Sequence, residues 1–376
     1  MYKKFLIAVS FMAVLIFSVN ATELTFKELY DSAVKNYNLK KYDESLQDID
    51  KAIKQAGSEP EKSQALQHKY NIYNVQRKYE DAAKVADEAL KLKTLIDVEA
   101  LKNQWLYNQI SAYYHGGKND ECIAACDKLL ASKSDASKEY GYHFKAYSFI
   151  RKDDNDKALE TGVKLAEYAK PGTDWNCRGK IFQMTALNNK KEYDKAVAVA
   201  SMTPDELKTI SNGIKGEYFN LLGNIYKTQQ KYPEAVAAFE KATQSDQASQ
   251  SGLGWYYLAE VYCAMNKDDD AIVAFTKAYE LKDTHPTHKT MAVVRAAEVL
   301  DKSEKTKEAL EMLKKVDSIA NLHLDWAARG KILAGKILLK QDKKDDAKKQ
   351  FETVKNMKGV SAGYTKQAND ELDKLK

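Results

Sequence analysis

Disulfide chemistry is the first thing this sequence lacks. Only four cysteines occur in 376 residues, too few to staple a chain of this length even in an oxidising compartment. Cys122 and Cys126 stand four apart on one helix face and read as small residues turned to a packed interior. A metal or redox pair would need a histidine or third cysteine at ligand spacing, and none is there. With Cys177 and Cys263 far away in sequence, all four are expected to stay unpaired. Long apolar runs are missing beyond residue 21, and the mean hydropathy is −0.58, so no later segment is long enough to span a bilayer. Charge of one sign is missing as well: 59 Lys and Arg face 54 Asp and Glu, a net of +5 that falls to +3 without Lys3 and Lys4. The densest run, QDKKDDAKKQ, sets Asp342, Asp345 and Asp346 among Lys343, Lys344, Lys348 and Lys349. Interspersed signs make a solvated helix face and argue against a nucleic-acid footprint.

Enzyme signatures are absent too. The sequence has no GxxxxGK[ST], HExxH, GxSxG or glycine-rich dinucleotide fingerprint. His285 and His288 flank Pro286 but have no third ligand nearby, which favours a solvated loop. Asp153, Asp154 and Asp156 sit where carboxylates cap a following helix. The expectation is no catalytic residue, no metal site and no cofactor.

What is present begins at the N-terminus. Lys3 and Lys4 precede an apolar run from Phe5 to Val19, broken only by Ser10 and Ser18, and Val19 and Ala21 occupy the small positions of a cleavage site. Residues 1–21 are therefore expected to be a secretory signal peptide cut after Ala21. An uncleaved anchor would need about 20 apolar residues, more than the run supplies. No cysteine near the cut could accept a lipid. The expected location is outside the cytoplasm, in the periplasm, the envelope or the medium.

From Phe26 onward the chain repeats. EYFNLLGNIYKTQQKYPEAVAAFEKATQSD, Glu217 to Asp246, puts Phe219, Leu222, Gly223 and Tyr226 on one side of a first helix and Ala235, Phe239 and Ala242 on one side of a second. Taking Ala235 as a register mark, its equivalents are Ser45, Ala82, Cys122, Ala158, Ala196, Ala271, Ala309 and Ala347, at steps of 36 to 40 residues. Residues 22–202 would hold hairpins one to five and 203–361 hairpins six to nine, with residues 362–376 as a capping helix whose stripe is Tyr364, Ala368, Leu372 and Leu375. A seam is expected near Thr203, because the second helix of the fifth hairpin stops early at Thr203-Pro204-Asp205-Glu206, a helix-start signal. No stretch alternates long enough to require a strand, so the fold class is all-α.

This pattern resembles the tetratricopeptide repeat, in which a large residue, Leu, Gly or Ala, and Tyr mark the first helix and Ala, Phe and Ala the second; the steps exceed the family's ~34 residues. The resemblance implies a right-handed α-solenoid of about nine hairpins acting as a non-enzymatic scaffold for a protein or peptide partner in the cell envelope. It also implies a concave face lined by certain first-helix positions. Carried over, these are Tyr30, Tyr37, Tyr107, Tyr114, Tyr140, His143, Tyr147, Asn220, Asn224 and Tyr256. Two alternatives remain: a glycan-binding module whose tyrosines stack on sugar rings, or tyrosines that only fill a tight superhelix.

Overall fold

The computed structural model describes residues 24–93 and 98–376; the expected signal peptide lies outside them. The described residues form α-helices and one 3-10 turn, with no strand among them. Contacts divide the chain into two compact units, up to Gly116 and from Gly117.

The first unit holds α1 (Phe26–Asn38) and α2 (Tyr42–Gln55), α3 (Glu59–Val75) and α4 (Tyr79–Ala89), and α5 (Glu99–His115). The second begins with α6 (Asn119–Leu130) and continues with the pairs α7 (Asp135–Arg151) and α8 (Asn155–Tyr168), then α9 (Asp174–Asn189) and α10 (Tyr193–Val199). A short α11 (Pro204–Thr209) precedes α12 (Asn212–Thr228) and α13 (Tyr232–Ala242), α14 (Ala248–Ala264) and α15 (Asp268–Glu280), and α16 (Pro286–Lys302) and α17 (Thr306–Lys314). After a 3-10 turn at Lys315–Ser318 come α18 (Leu324–Lys340), α19 (Lys344–Lys355) and α20 (Ala362–Asp373). The chain is thus an all-α solenoid of helical hairpins.

Every register residue from Ser45 to Ala347 is fully buried, because a small side chain at that point lets the second helix lie close against its neighbours. In two hairpins the first helix contributes a glycine to the same contact. The Phe239 ring covers Gly223 and the Phe351 ring covers Gly335, so closely that a Cβ would lie 2.7 and 2.5 Å from ring carbon.

The hairpin turns share one geometry. Lys40, Arg77, Gly117, Asp153, Lys191, Gln230, Asn266, Glu304 and Asp342 all take positive φ, between 57° and 72°. The following amide reaches back five residues, as in Lys41 N to Asn36 O at 2.9 Å, Lys78 N to Tyr73 O at 2.8 Å and Lys231 N to Tyr226 O at 2.9 Å. This is the Schellman closure of a helix, which satisfies its last carbonyls. Eight of these nine residues carry side chains, so the turn is held despite the cost of left-handed backbone.

Met202 and Thr203, where a seam was expected, lie inside the second unit, and the core runs across them. Leu207, Ile210 and Ile214 pack with Cys177, Ile181 and Ala196 before them and with Tyr218 and Phe219 after them. The region around His285 and His288 is a helix start and not a solvated loop: His285 caps α16 by accepting the Thr287 amide on Nδ1, and His288 lies in its first turn against Tyr256. Thr203 and Glu206 form the capping box of α11, and Thr173 and Asp154 cap α9 and α8. The last helix, α20, buries Ala368 against Ala328, Ile332 and Phe351. Among the described residues no helix is long and apolar enough to cross a membrane.

Candidate functional site

In the first unit, α1, α3 and α5 stand side by side and enclose a groove of about 560 Å³. Amides line it: Gln64, Gln67 and Asn71 from α3 and Gln104 from α5. Exposed Val98 and Leu101 supply an apolar edge. The aromatic rings below are already engaged. Trp105 is 2% exposed and donates Nε1 to Ser63 Oγ at 3.3 Å. Tyr30 stacks on Phe26 with centroids 5.9 Å apart and meets His68 at 5.7 Å, and Tyr37 packs edge-on against Tyr42 and His68. Across α3 and α5, Asn108 Nδ2 donates to Gln67 Oε1 at 2.9 Å and the Tyr70 hydroxyl donates to Asn108 O at 2.9 Å. Among the described residues Glu59 is the one carboxylate in the lining, and it accepts the Lys93 amide at 3.2 Å.

Ser45 Oγ lies 3.4 Å from His68 Nε2, a nucleophile-and-base spacing. Ser45 is, however, fully buried and donates to Ala33 O at 2.7 Å, and burial lowers the basicity of His68. The pair is core.

In the second unit the corresponding face is a ladder between successive first helices. His143 of α7 meets Trp175 and Phe182 of α9 at 5.4 and 5.2 Å, and Tyr147 meets Phe182 edge-on at 5.6 Å. His143 is half-buried, and its Nδ1 is sealed from solvent without a hydrogen-bond partner. Burial, aided by the nearby Arg178 charge, pulls its pKa down to about 3. Arg178 approaches Glu217 at 3.7 Å, but burial outweighs the arginine and raises the Glu217 pKa. Asn220 Nδ2 donates to both the carbonyl and the side chain of Gln250, at 2.9 and 3.0 Å, and Asn224 Nδ2 donates to Asn220 O at 3.0 Å. Lys227 lies over the Tyr257 ring at 4.6 Å, and burial lowers its pKa. Further along, charges alternate and neutralise one another. Arg295 Nε donates to Glu260 at 2.7 Å, Arg295 Nη1 to Glu298 at 2.7 Å, and Arg329 Nε to the other Glu298 oxygen.

A family model described as the tetratricopeptide repeat matches residues 71–137 and 220–286. The chain carries tetratricopeptide repeats. A comparison with curated proteins gives no match. Similar solved structures include a tetratricopeptide repeat protein from Parabacteroides merdae, with 16% identity, 93% of this chain and 98% of that one covered, and a TM-score of 0.42. Another is the C-terminal part of a repeat-containing protein from Cytophaga hutchinsonii, at 16% identity, 68% and 97% coverage and a TM-score of 0.48. A third is the human IFIT1 dimer with PPP-AAAA, at 13% identity, 94% and 81% coverage and a TM-score of 0.43.

Within these tetratricopeptide hairpins the residues assigned to a binding face divide into two groups. Tyr256 is 5% exposed, packed on Phe275 and His288, and Asn220 is 3% exposed, so both belong to the interior rather than to an accessible face. Tyr30, Tyr37, His143 and Tyr147 are half-buried and join one first helix to the next, while Tyr107, Tyr114, Tyr140 and Asn224 are also half-buried. Tyr114 lies against His115 and Tyr140 against Phe144. The groove amides Gln64, Gln67, Asn71 and Gln104 were missed. Their recurrence at three- and four-residue spacing along α3 was the available signal.

Proposed function

We propose that the chain is an exported scaffold for protein partners in the cell envelope, and that the first unit's groove takes an extended peptide segment. The groove's composition carries this reading. A primary amide offers a donor and an acceptor together, which matches the alternating groups of an extended backbone. Leu101 and Val98 offer apolar contact for a side chain, and the amides place no demand on the sign of the ligand's charge. A sugar-stacking role is not favoured there, since Trp105 and Tyr30 have their ring faces occupied.

Export is supported by Lys3, Lys4 and the apolar run from Phe5 to Val19. N-terminal sequencing of protein recovered from cells should begin at Thr22; a retained Met1 in a cytosolic fraction would defeat it. For binding, the whole protein is screened on an array of uncharged and mixed peptides. Leu101→Glu should weaken the best binders by about tenfold by placing a charge in an apolar contact. Unchanged binding with a preserved helical signal would remove the groove from the function.

A further inference from the structure

The fifth hairpin departs from the others, and its departure builds a second recess. Because α10 ends at Val199, the chain inserts α11 before the sixth hairpin begins. The insert is pinned at its far end: Thr209 Oγ1 donates to Gly172 O at 2.6 Å and the Ser211 amide donates to Asp174 Oδ1 at 2.8 Å. On the other side, Ser245 Oγ donates to Asn212 O at 3.1 Å. That approach requires Gly216, where a Cβ would stand 2.7 Å from Ser245 Oγ.

Between the two walls lies a recess of about 450 Å³. Pro204, Leu207 and Phe219 supply its apolar surface, and Lys208, Lys215 and Lys241 its charge, with no carboxylate in the lining among the described residues. Lys208 is engaged by Asp205 at 2.8 Å in an exposed pair of adjacent turns, which holds it weakly. Lys241 lies 5.1 Å from the centre of the Phe219 ring. Among the described residues no ion pair links Lys215 or Lys241 to an acid. Elsewhere on this chain lysines meet acids within a turn or across hairpins, as Lys190 meets Asp156 and Lys305 meets Asp269. Here only Lys208 has such a partner, in the exposed pair with Asp205.

We propose that this recess is a docking site for an acidic and apolar peptide segment of a protein partner, its carboxylates set among the three lysines and its apolar side chain on Pro204 and Leu207. Lysines are separate point charges on flexible stems and lack the planar fork that suits a phosphate, while the apolar surface between them asks for a side chain. The site shares no residue with the first unit's groove and does not require that groove to be occupied. Insertions in repeat arrays fall on one face, often the binding face, which suits a partner gripped by the inserted helix.

The test uses the full chain and a short fluorescein-labelled peptide alternating Glu with Leu and Phe, read by anisotropy. Its counterpart with Lys for Glu and a competitor of inorganic phosphate complete the set. The acidic peptide should bind in a salt-sensitive manner, and Lys215→Glu with Lys241→Glu should weaken it by about tenfold or more. The milder pair Lys215→Gln with Lys241→Gln should fall in between, and Lys51→Glu, at an exposed position of α2, should leave binding unchanged. Equal affinity for the two peptides, no binding of the acidic one, or indifference to both double variants with intact helical signal would overturn the proposal. Displacement by phosphate as strong as by unlabelled peptide would overturn it as well, in favour of a small-anion site.

Discussion

The hydroxyl of Tyr218 donates to the carbonyl of Ala200, the residue that closes the shortened helix α10. In five other hairpins the seventh residue of the first helix is Ala65, Gly141, Gly254, Ala292 or Gly330, small because the preceding second helix lies close, while Trp105 and Lys180 hold that place in the third and fifth. A Cβ on Gly254, for example, would stand 3.1 Å from Ala242. Where α10 stops short, Tyr218 fills the space and covers the open end of the helix. Tyr218→Phe should cost about 1 kcal/mol by removing a part-buried hydrogen bond to the end of that helix. Tyr218→Gly restores the usual residue but leaves a void, and should cost more than about 3 kcal/mol. Urea unfolding measures both. A glycine variant as stable as the parent would show that the helix end does not depend on this ring.

The left-handed turns give a prediction of opposite sign. Arg77 and Glu304 hold φ of 57° and 60° at the hairpin corners. An L residue pays roughly 1 to 2 kcal/mol there, and glycine does not, although glycine loses more freedom on folding. Arg77→Gly and Glu304→Gly should each raise stability by about 0.5 to 1 kcal/mol. A loss of stability in both would mean that the side chains, and not the backbone, hold these corners.

Tyr256 separates packing from recognition. Its ring is wedged between Phe275, Tyr257 and His288, so Tyr256→Ala should cost about 3 to 5 kcal/mol as a large-to-small core change. A variant that melts with the parent would return Tyr256 to an exposed binding face.

The repeat was legible because its evidence is local. A small residue recurring where two helices touch marks the hairpin regardless of what surrounds it, and the series from Ser45 to Ala347 is buried throughout. The side-chain roles on the first helices were not legible in the same way. Whether a tyrosine there faces solvent depends on the next hairpin's residue opposite it: Phe182 occupies Tyr147 and Gln250 occupies Asn220. The interruption after Met202 was visible, but not that Leu207 and Ile210 would carry the core across it. Nor could the sequence reveal a recess whose walls come from residues as far apart as Leu207 and Ser245.

The last prediction concerns acid. In the folded chain His143 stays neutral down to about pH 3 because its ring is buried among Trp175, Phe182 and Tyr147 near the Arg178 charge. In the unfolded chain it takes a proton near its ordinary 6.5. Between those values the unfolded state binds more protons, so stability falls as pH drops below 6.5, and the loss is complete once pH passes below about 3. From pH 7 to pH 5 this one group should remove about 2 kcal/mol. His143→Phe keeps a ring in the cluster and removes both the titration and the partnerless Nδ1. Its stability relative to the parent should therefore improve by that amount over the same interval, with carboxylates and other histidines common to both proteins cancelling. A difference between the two proteins that stays constant from pH 7 to pH 5 would show that His143 is protonated in the folded chain and that the ladder at this point opens to water.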